Sequence, residues 1–333
     1  MKKNITFQFF IFLLGCFLCT QAYAQQHKTE FTFSETVSTN LLRIMEANAN
    51  AVFAEIHRAF YNQNTSGLTL SLSNVENNEA IQRIQNLWAT SQFRCTETSV
   101  ITRVLKSSNG YQVRNIPVYF EKADQEKYQN IVIEFTSSGK ISDIYIALPE
   151  HQYAKIMGNS NKVEDLRQRQ IILDFCENFR TAYNRKDLNL IEDVFSDDAL
   201  IITGKVMQRQ SKRGDMPVLI SSPQIVYKEY NKKEYIDNLK LVFKRNSYIN
   251  VKFDDIVVRQ HDVKKFIYGV TLKQSWNSST YNDEGWLFLL IDYKDENKPL
   301  IWVRTWQPFE DPVTKQKIHY NNEDIFGLSH FSF

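Results

Sequence analysis

One arrangement of apolar residues occurs twice along this chain, and that repetition limits its fold more than any other feature. Leu41, Met45, Val52, Ile56, Ala59 and Phe60 recur at spacings that put them on one helical face. The spacing predicts a long amphipathic helix ending near Asn62. Beyond a turn at Thr65-Ser66-Gly67, a shorter helical stripe carries Ile81, Ile84, Leu87 and Trp88. Residues 100–105, 111–120, 131–135 and 141–148 are then rich in branched and aromatic side chains, which predicts strands. The break at Ser137-Ser138-Gly139-Lys140 makes the last two a hairpin.

The plan then restarts. Residues 151–163 are polar and lack periodicity, as expected of a linker. Ile172, Phe175, Phe179, Ala182 and Tyr183 mark a second long helix, and Tyr235, Leu239, Val242 and Phe243 a later one. Strands are predicted over residues 249–258, 266–276, 286–293 and 300–306. A long helix, a second helix and four strands in each half imply a duplicated α+β architecture. In each copy the helix buries one face of a curved antiparallel sheet. The run 286–291 is apolar throughout, so both faces of that strand are expected to be covered.

Lys2 and Lys3 precede an apolar run over residues 5–18 that holds five Phe, and Ala22-Tyr23-Ala24 follows. A basic start, a short apolar core and a small-x-small site predict a signal peptide over residues 1–24. Leu13-Leu14-Gly15-Cys16 also resembles a lipobox, so a lipoprotein anchored through Cys16 is the alternative to a periplasmic or secreted chain. Removing Lys2 and Lys3 from the 40 basic side chains leaves 38 against 38 acidic ones. That balance gives no electrostatic reason to expect nucleic acid or an anionic membrane as partner. No later segment is apolar for long enough to span a bilayer. Cleavage would also remove Cys16 and Cys19, leaving Cys95 and Cys176, too few for a disulfide scaffold. Cys176 lies in the helical stripe beside Phe175 and Phe179, as a buried thiol would.

The segment FRTAYNRKDLNLIEDVFSDDALIITG, residues 179–204, resembles the opening of the nuclear transport factor 2-like (NTF2-like) superfamily, which includes ketosteroid isomerases and SnoaL-type cyclases. The likeness continues through GWLFLLIDY and LIWVRTWQP. It implies two tandem cystatin- or NTF2-like α+β domains: a degenerate one over residues 25–150 and one over 164–333 with a C-terminal tail. It also implies that the Asp197-Asp198-Ala199 turn leads into the first strand of the second domain. VKFDDIVV, GVTLKQSWNSSTYNDEGW and the closing EDIFGLSHFSF resemble secreted proteins of Bacteroidetes. Asp187 stands where a helix N-cap would be, and Asp197 and Asp198 where short acids satisfy local amides; all three are read as structural.

No HExxH, P-loop, GxSxG, paired CxxC or dinucleotide glycine fingerprint occurs, so no cofactor or metal is expected. The six His, at 27, 57, 151, 261, 319 and 330, show no ligand spacing. His57 lies beside the first apolar stripe, at the helix surface or the core edge.

Strand alternation puts Trp302, Arg304 and Trp306 on one face. There Arg304 could hold an anionic group while Trp286, Trp302 and Trp306 supply apolar walls, unless Arg304 instead pairs with Asp292. By the family's example an enzyme would need an Asp base and a Tyr donor. Asp292, Asp254, Asp255, Tyr183 and Tyr268 are of suitable type, although no spacing selects a pair. The basic stretch 205–233 is read as a solvated loop, with a lid or a docking surface as the alternatives. The sequence thus points to a non-catalytic binding or interaction module, with a small apolar or anionic ligand, a protein partner or a second copy as partner. An isomerase, dehydratase or hydrolase of the NTF2-like type is the alternative, and a structural envelope component a further one.

Overall fold

The structure is a computed structural model that describes residues 28–34, 37–63, 67–107, 110–121, 127–158, 163, 165–207, 210–213, 216–219, 224–318 and 325–331. The signal-peptide and lipobox segments, and the turn residues Thr65 and Ser66, lie outside the described residues. The fold is α+β in two compact units, Met1–Ile144 and Tyr145–Phe333. No described helix is long and apolar enough to cross a membrane.

In the first unit, strand β1 (Glu30–Ser34) precedes helices α1 (Thr39–Tyr61) and α2 (Asn78–Thr90), and β2 (Phe93–Cys95), β3 (Ser99–Ser107), β4 (Gly110–Phe120), β5 (Tyr128–Thr136) and β6 (Ile141–Ile146) follow. Ser38 caps α1 by accepting from the Leu41 amide, and Met45, Val52, Ile56 and Ala59 lie on its buried face as the spacing predicts. His57 is buried on the same helix, its Nε2 3.4 Å from the Thr29 hydroxyl. The 137–140 break is a turn: Gly139 has φ of 86°, and a Cβ there would come within 2.9 Å of Ile44. The sheet runs β1-β3-β4-β5-β6, with β2 also on β4. It is mixed rather than wholly antiparallel, because β1, which the sequence reading missed, joins β3 in parallel.

The second unit contains α3 (Glu150–Met157), α4 (Leu166–Asn184), α5 (Leu188–Asp193), β7 (Phe195–Met207), β8 (Gln210–Arg213), β9 (Met216–Leu219), β10 (Gln224–Tyr230), α6 (Lys232–Arg245), β11 (Ile249–Gln260), β12 (Ile267–Ser278), β13 (Asn282–Asp292) and β14 (Leu300–Pro308). Much of the stretch read as a linker is therefore helical, with Gln152 and Ile156 of α3 buried. The chain ahead of it is tied to α4: the Ile146 amide donates to the Thr181 hydroxyl at 3.1 Å and the Leu148 amide to Glu177 at 2.6 Å. The stretch 205–233 is a correction, since it forms the end of β7, the β8–β9 hairpin and β10 rather than a loop.

The sheet order is β10-β7-β14-β13-β12-β11, antiparallel except for the parallel pair β14–β7. Asp197 and Asp198 already lie inside β7 rather than in a turn before it, and Asp197 pairs with Lys232 at 2.8 Å. Asp187 does cap α5, accepting from the Leu190 amide at 3.0 Å. At the edge, Asn184 replaces a missing neighbour strand, because its side chain accepts from the Val251 amide at 2.6 Å and donates back to the Val251 carbonyl.

Each face of this sheet has its own core. One face packs against α4 and α6 through Phe179, Tyr183, Leu239, Leu287, Leu289 and Ile301. The opposite face carries a smaller cluster of Ile267, Phe288, Leu290 and Val303, packed against Phe326, Leu328 and Phe331 of the C-terminal segment. Residues 285–291 are all buried, so β13 is covered on both faces as its composition predicts. Cys95 and Cys176 are free and buried, and burial pushes the Cys176 thiol up to about 12.

Candidate functional site

The register of β13 and β14 decides which predicted residues face α4. Leu289 pairs with Arg304 and Leu287 with Trp306. Leu287 and Leu289 belong to the α4-facing core, so Arg304 and Trp306 point inward with them. A bulge between Ile301 and Val303 inserts Trp302 as an extra residue. The alternation is broken there, and Trp302 joins the opposite face, beside Val303. The expectation that Trp302, Arg304 and Trp306 share one face is thus corrected, the bulge being the reason.

Inside, Arg304 is 6 % exposed and its guanidinium carbon lies 5.2 Å from the Tyr235 ring centre. It hydrogen-bonds the Tyr183 hydroxyl, which in turn lies 2.7 Å from the Tyr235 hydroxyl. Burial holds the Tyr183 phenol well above its ordinary range. Trp276 stands edge-on to Tyr183 at 5.8 Å. Trp306 fits because residue 285 is glycine: a Cβ there would meet the indole at 2.4 Å. The remaining wall is packed by Phe179, Phe195 and Phe243.

Asp283, which the sequence reading did not single out, stands on the same inward face near the start of β13. Burial pushes its carboxyl up to about 6, against the lowering pull of a hydrogen bond from Tyr281 and of the Arg304 charge. Its Oδ1 is buried without a hydrogen-bond partner among the described residues.

The other predicted site residues lie elsewhere. Tyr268 faces inward but packs on Tyr293 at 5.6 Å and accepts from Gln260 at 2.8 Å, away from Arg304. Asp292 is paired with Leu300, not Arg304, and accepts from the Lys294 amide at 2.7 Å to cap a turn. Trp286 faces the opposite side, donating to the Ile318 carbonyl beside Phe309. Asp255 is exposed in a β11 bulge with φ of 50°. Asp254 precedes that bulge on β11, outside the inner cluster. No group of three or more metal-ligating side chains occurs among the described residues.

A second candidate lies on the outer face. Between the sheet and the C-terminal segment runs a groove of about 650 Å3. Val257, Gly269, Thr271 and Phe288 form its floor, residues 325–330 one wall, and Arg259, His261 and Asp262 another. Gly269 makes this possible, because a Cβ there would come within 2.7 Å of Leu328. Phe331 stacks on Phe288 at 5.7 Å, and the Phe326 amide donates to Gln307 at 3.0 Å, seating the segment on the sheet. Glycine amid the apolar β12 was the one sequence signal of this close approach.

No protein-family model matches the chain, and no curated protein matches it by sequence. Solved structures similar to it include several NTF2-like proteins, as the sequence resemblance implied. An NTF2-like protein from Cytophaga hutchinsonii is 16 % identical, with a TM-score of 0.29, covering 42 % of this chain and 98 % of that one. A protein of the NTF2-like family from Streptomyces avermitilis is 13 % identical, with a TM-score of 0.27, covering 39 % and 87 %. A Bdellovibrio bacteriovorus protein is 15 % identical with a TM-score of 0.33; the match spans 50 % of this chain and only 47 % of that one.

Proposed function

We propose that this is an exported, non-catalytic binding protein that takes a small molecule into the groove on the outer sheet face of its second unit. The observation that carries the reading is the contrast between the two faces. On the inner face Tyr183, Tyr235, Arg304 and Trp306 are each less than a tenth exposed, and the first three are bonded to or stacked on one another. The outer face keeps an open volume of about 650 Å3, with an apolar floor and a rim of polar side chains. Export rests on residues 1–24, with the periplasm or the medium as destination and a lipid on Cys16 as the alternative.

Native mass spectrometry of the chain purified from its own envelope fraction tests both points. The expected mass begins at Gln25, with a releasable small molecule that is lost in Gly269→Val, where the added side chain displaces Leu328. A chain that retains the same molecule in Gly269→Val overturns the groove reading, and a mass that includes residues 1–24 overturns export.

One observation favours a second reading, a proton-transfer enzyme working at the inner face. The Asp283 carboxyl, held at about 6 beside a tyrosine, is matched to general acid–base work near neutral pH. That reading requires turnover that vanishes in Asp283→Asn and Tyr281→Phe alike.

A further inference from the structure

The two histidines of the groove, His261 and His330, are far apart in sequence but line one cavity. Each has one ring nitrogen already committed. The Nδ1 of His261 accepts from the Val263 and Lys264 amides, both at 3.1 Å. The Nδ1 of His330 accepts from the Gly327 amide at 3.0 Å. A nitrogen that accepts from an amide carries no proton, so each neutral ring bears its hydrogen on Nε2. Both imidazoles can therefore offer a ligand only an N–H donor, and neither offers a lone pair for a metal without losing its backbone bond.

Arg259, on β11 just before His261, adds a guanidinium that makes no hydrogen bond or ion pair among the described residues. The side-chain amide of Gln260 donates to the Lys265 carbonyl at 2.6 Å and to the Tyr268 hydroxyl at 2.8 Å. Among the described residues Asp262 is the one carboxylate that lines the groove, and it is exposed. Among the described residues, two imidazole N–H groups and a guanidinium thus face one exposed carboxylate across a groove whose apolar lining includes Val257, Phe288 and Leu328.

We propose that the groove binds an organic carboxylate, with the Nε2–H groups of His261 and His330 and the Arg259 guanidinium taking the carboxylate and Val257, Phe288 and Leu328 taking the carbon chain. The proposal rests on the groove reading above and names its ligand class. A carboxylate answers the surplus of donors with charge-assisted bonds, and Arg259 can meet both of its oxygens at once. The apolar floor distinguishes such a ligand from a free inorganic anion, which would gain nothing there. Asp262 opposes an anion, so its removal has a predicted sign.

Calorimetric titration of the intact mature chain with octanoate, octan-1-ol and octylammonium tests this, with methyl NMR of Leu328 and Val257 locating the contact. Octanoate is expected to bind about tenfold or more tighter than octan-1-ol, the difference that charge-assisted bonds supply. His261→Asn and His330→Asn keep an acceptor for the backbone amides, remove the Nε2–H, and are expected to weaken octanoate but not octan-1-ol. Arg259→Gln acts in the same direction, whereas Asp262→Asn tightens octanoate. Equal binding of all three probes with shifts at Leu328 overturns the carboxylate assignment while leaving the groove in place. Tighter binding of octylammonium, or its weakening by Asp262→Asn, also overturns it. If no probe moves Leu328 or Val257, the carboxylate proposal fails, and the mass-spectrometric test then decides the groove reading independently.

Discussion

The edge of the first unit and the centre of the second use the same side-chain types to different ends. Strand β1 alternates exposed and buried residues, with Phe31 and Phe33 against the core and Glu30, Thr32 and Ser34 outside. Its neighbour β3 likewise leaves Ile101 77 % exposed. In β13 the alternation is gone, because Leu287 and Leu289 face α4 while Phe288 and Leu290 face residues 325–331. The second unit has an extra layer on its outer face, and the groove exists only where that layer meets the sheet. The shared plan explains the fold, and the added layer locates the site.

That comparison can be broken at several points. Phe179 is 1 % exposed at the centre of the α4-facing core, so Phe179→Ala is expected to cost the second unit about 3–5 kcal/mol. Thermal unfolding should show that loss in one transition only, the first unit's staying in place; a common shift of the whole melt would mean the units do not unfold separately. Gly285→Val drives a side chain into the Trp306 indole and the Gln307 carbonyl and should cost about 1–3 kcal/mol, against near zero only if both move clear. Urea titration distinguishes the two.

The pH dependence is a third test. Folding keeps the Asp283 carboxyl protonated up to about 6, whereas in the unfolded chain it ionises near 4. The native state holds the extra proton between those values. The associated stability, about 1–2 kcal/mol after allowing for partial exposure, is present below pH 4 and lost as pH rises through 6. Asp283→Asn should flatten that slope, and Arg304→Met should push the Asp283 titration higher still, as carboxyl chemical shifts would report. The smallest expected effect is at Asp187→Ala, about 1 kcal/mol for one lost helix cap, and it should appear in the second unit's transition alone.

The long helices and the four later strands of each unit were legible because apolar periodicity is a local property. Strand β1 was not, since its alternation covers only five residues and its partner β3 lies far along the chain; β7 likewise takes its parallel neighbour β14 from far away, and the basic, polar stretch that forms β8–β10 carries no apolar periodicity. Asp197 and Asp198 resemble turn formers, and they fall in the irregular stretch of β7 between its pairing with β14 at Phe195 and its resumption at Leu200. At the inner face, Tyr183, Arg304 and Trp306 were found from residue type, while Trp302 was misplaced by a single bulge that no alternation rule anticipates. Asp283 and Tyr235 were missed because only burial distinguishes them from other polar residues. The groove depends on residues 325–331 crossing back onto β12 and β13, so its two histidines had no sequence spacing to betray them.

Hydrogen–deuterium exchange on the mature chain, with its natural small molecule bound and after the molecule is removed by unfolding and refolding, tests the central claim most directly. Binding at the outer face predicts that protection is gained in residues 257–271 and 325–331 and little elsewhere. Protection gained instead in the segments carrying Tyr183, Asp283 and Arg304, with residues 325–331 unchanged, would contradict it and move the site to the inner face.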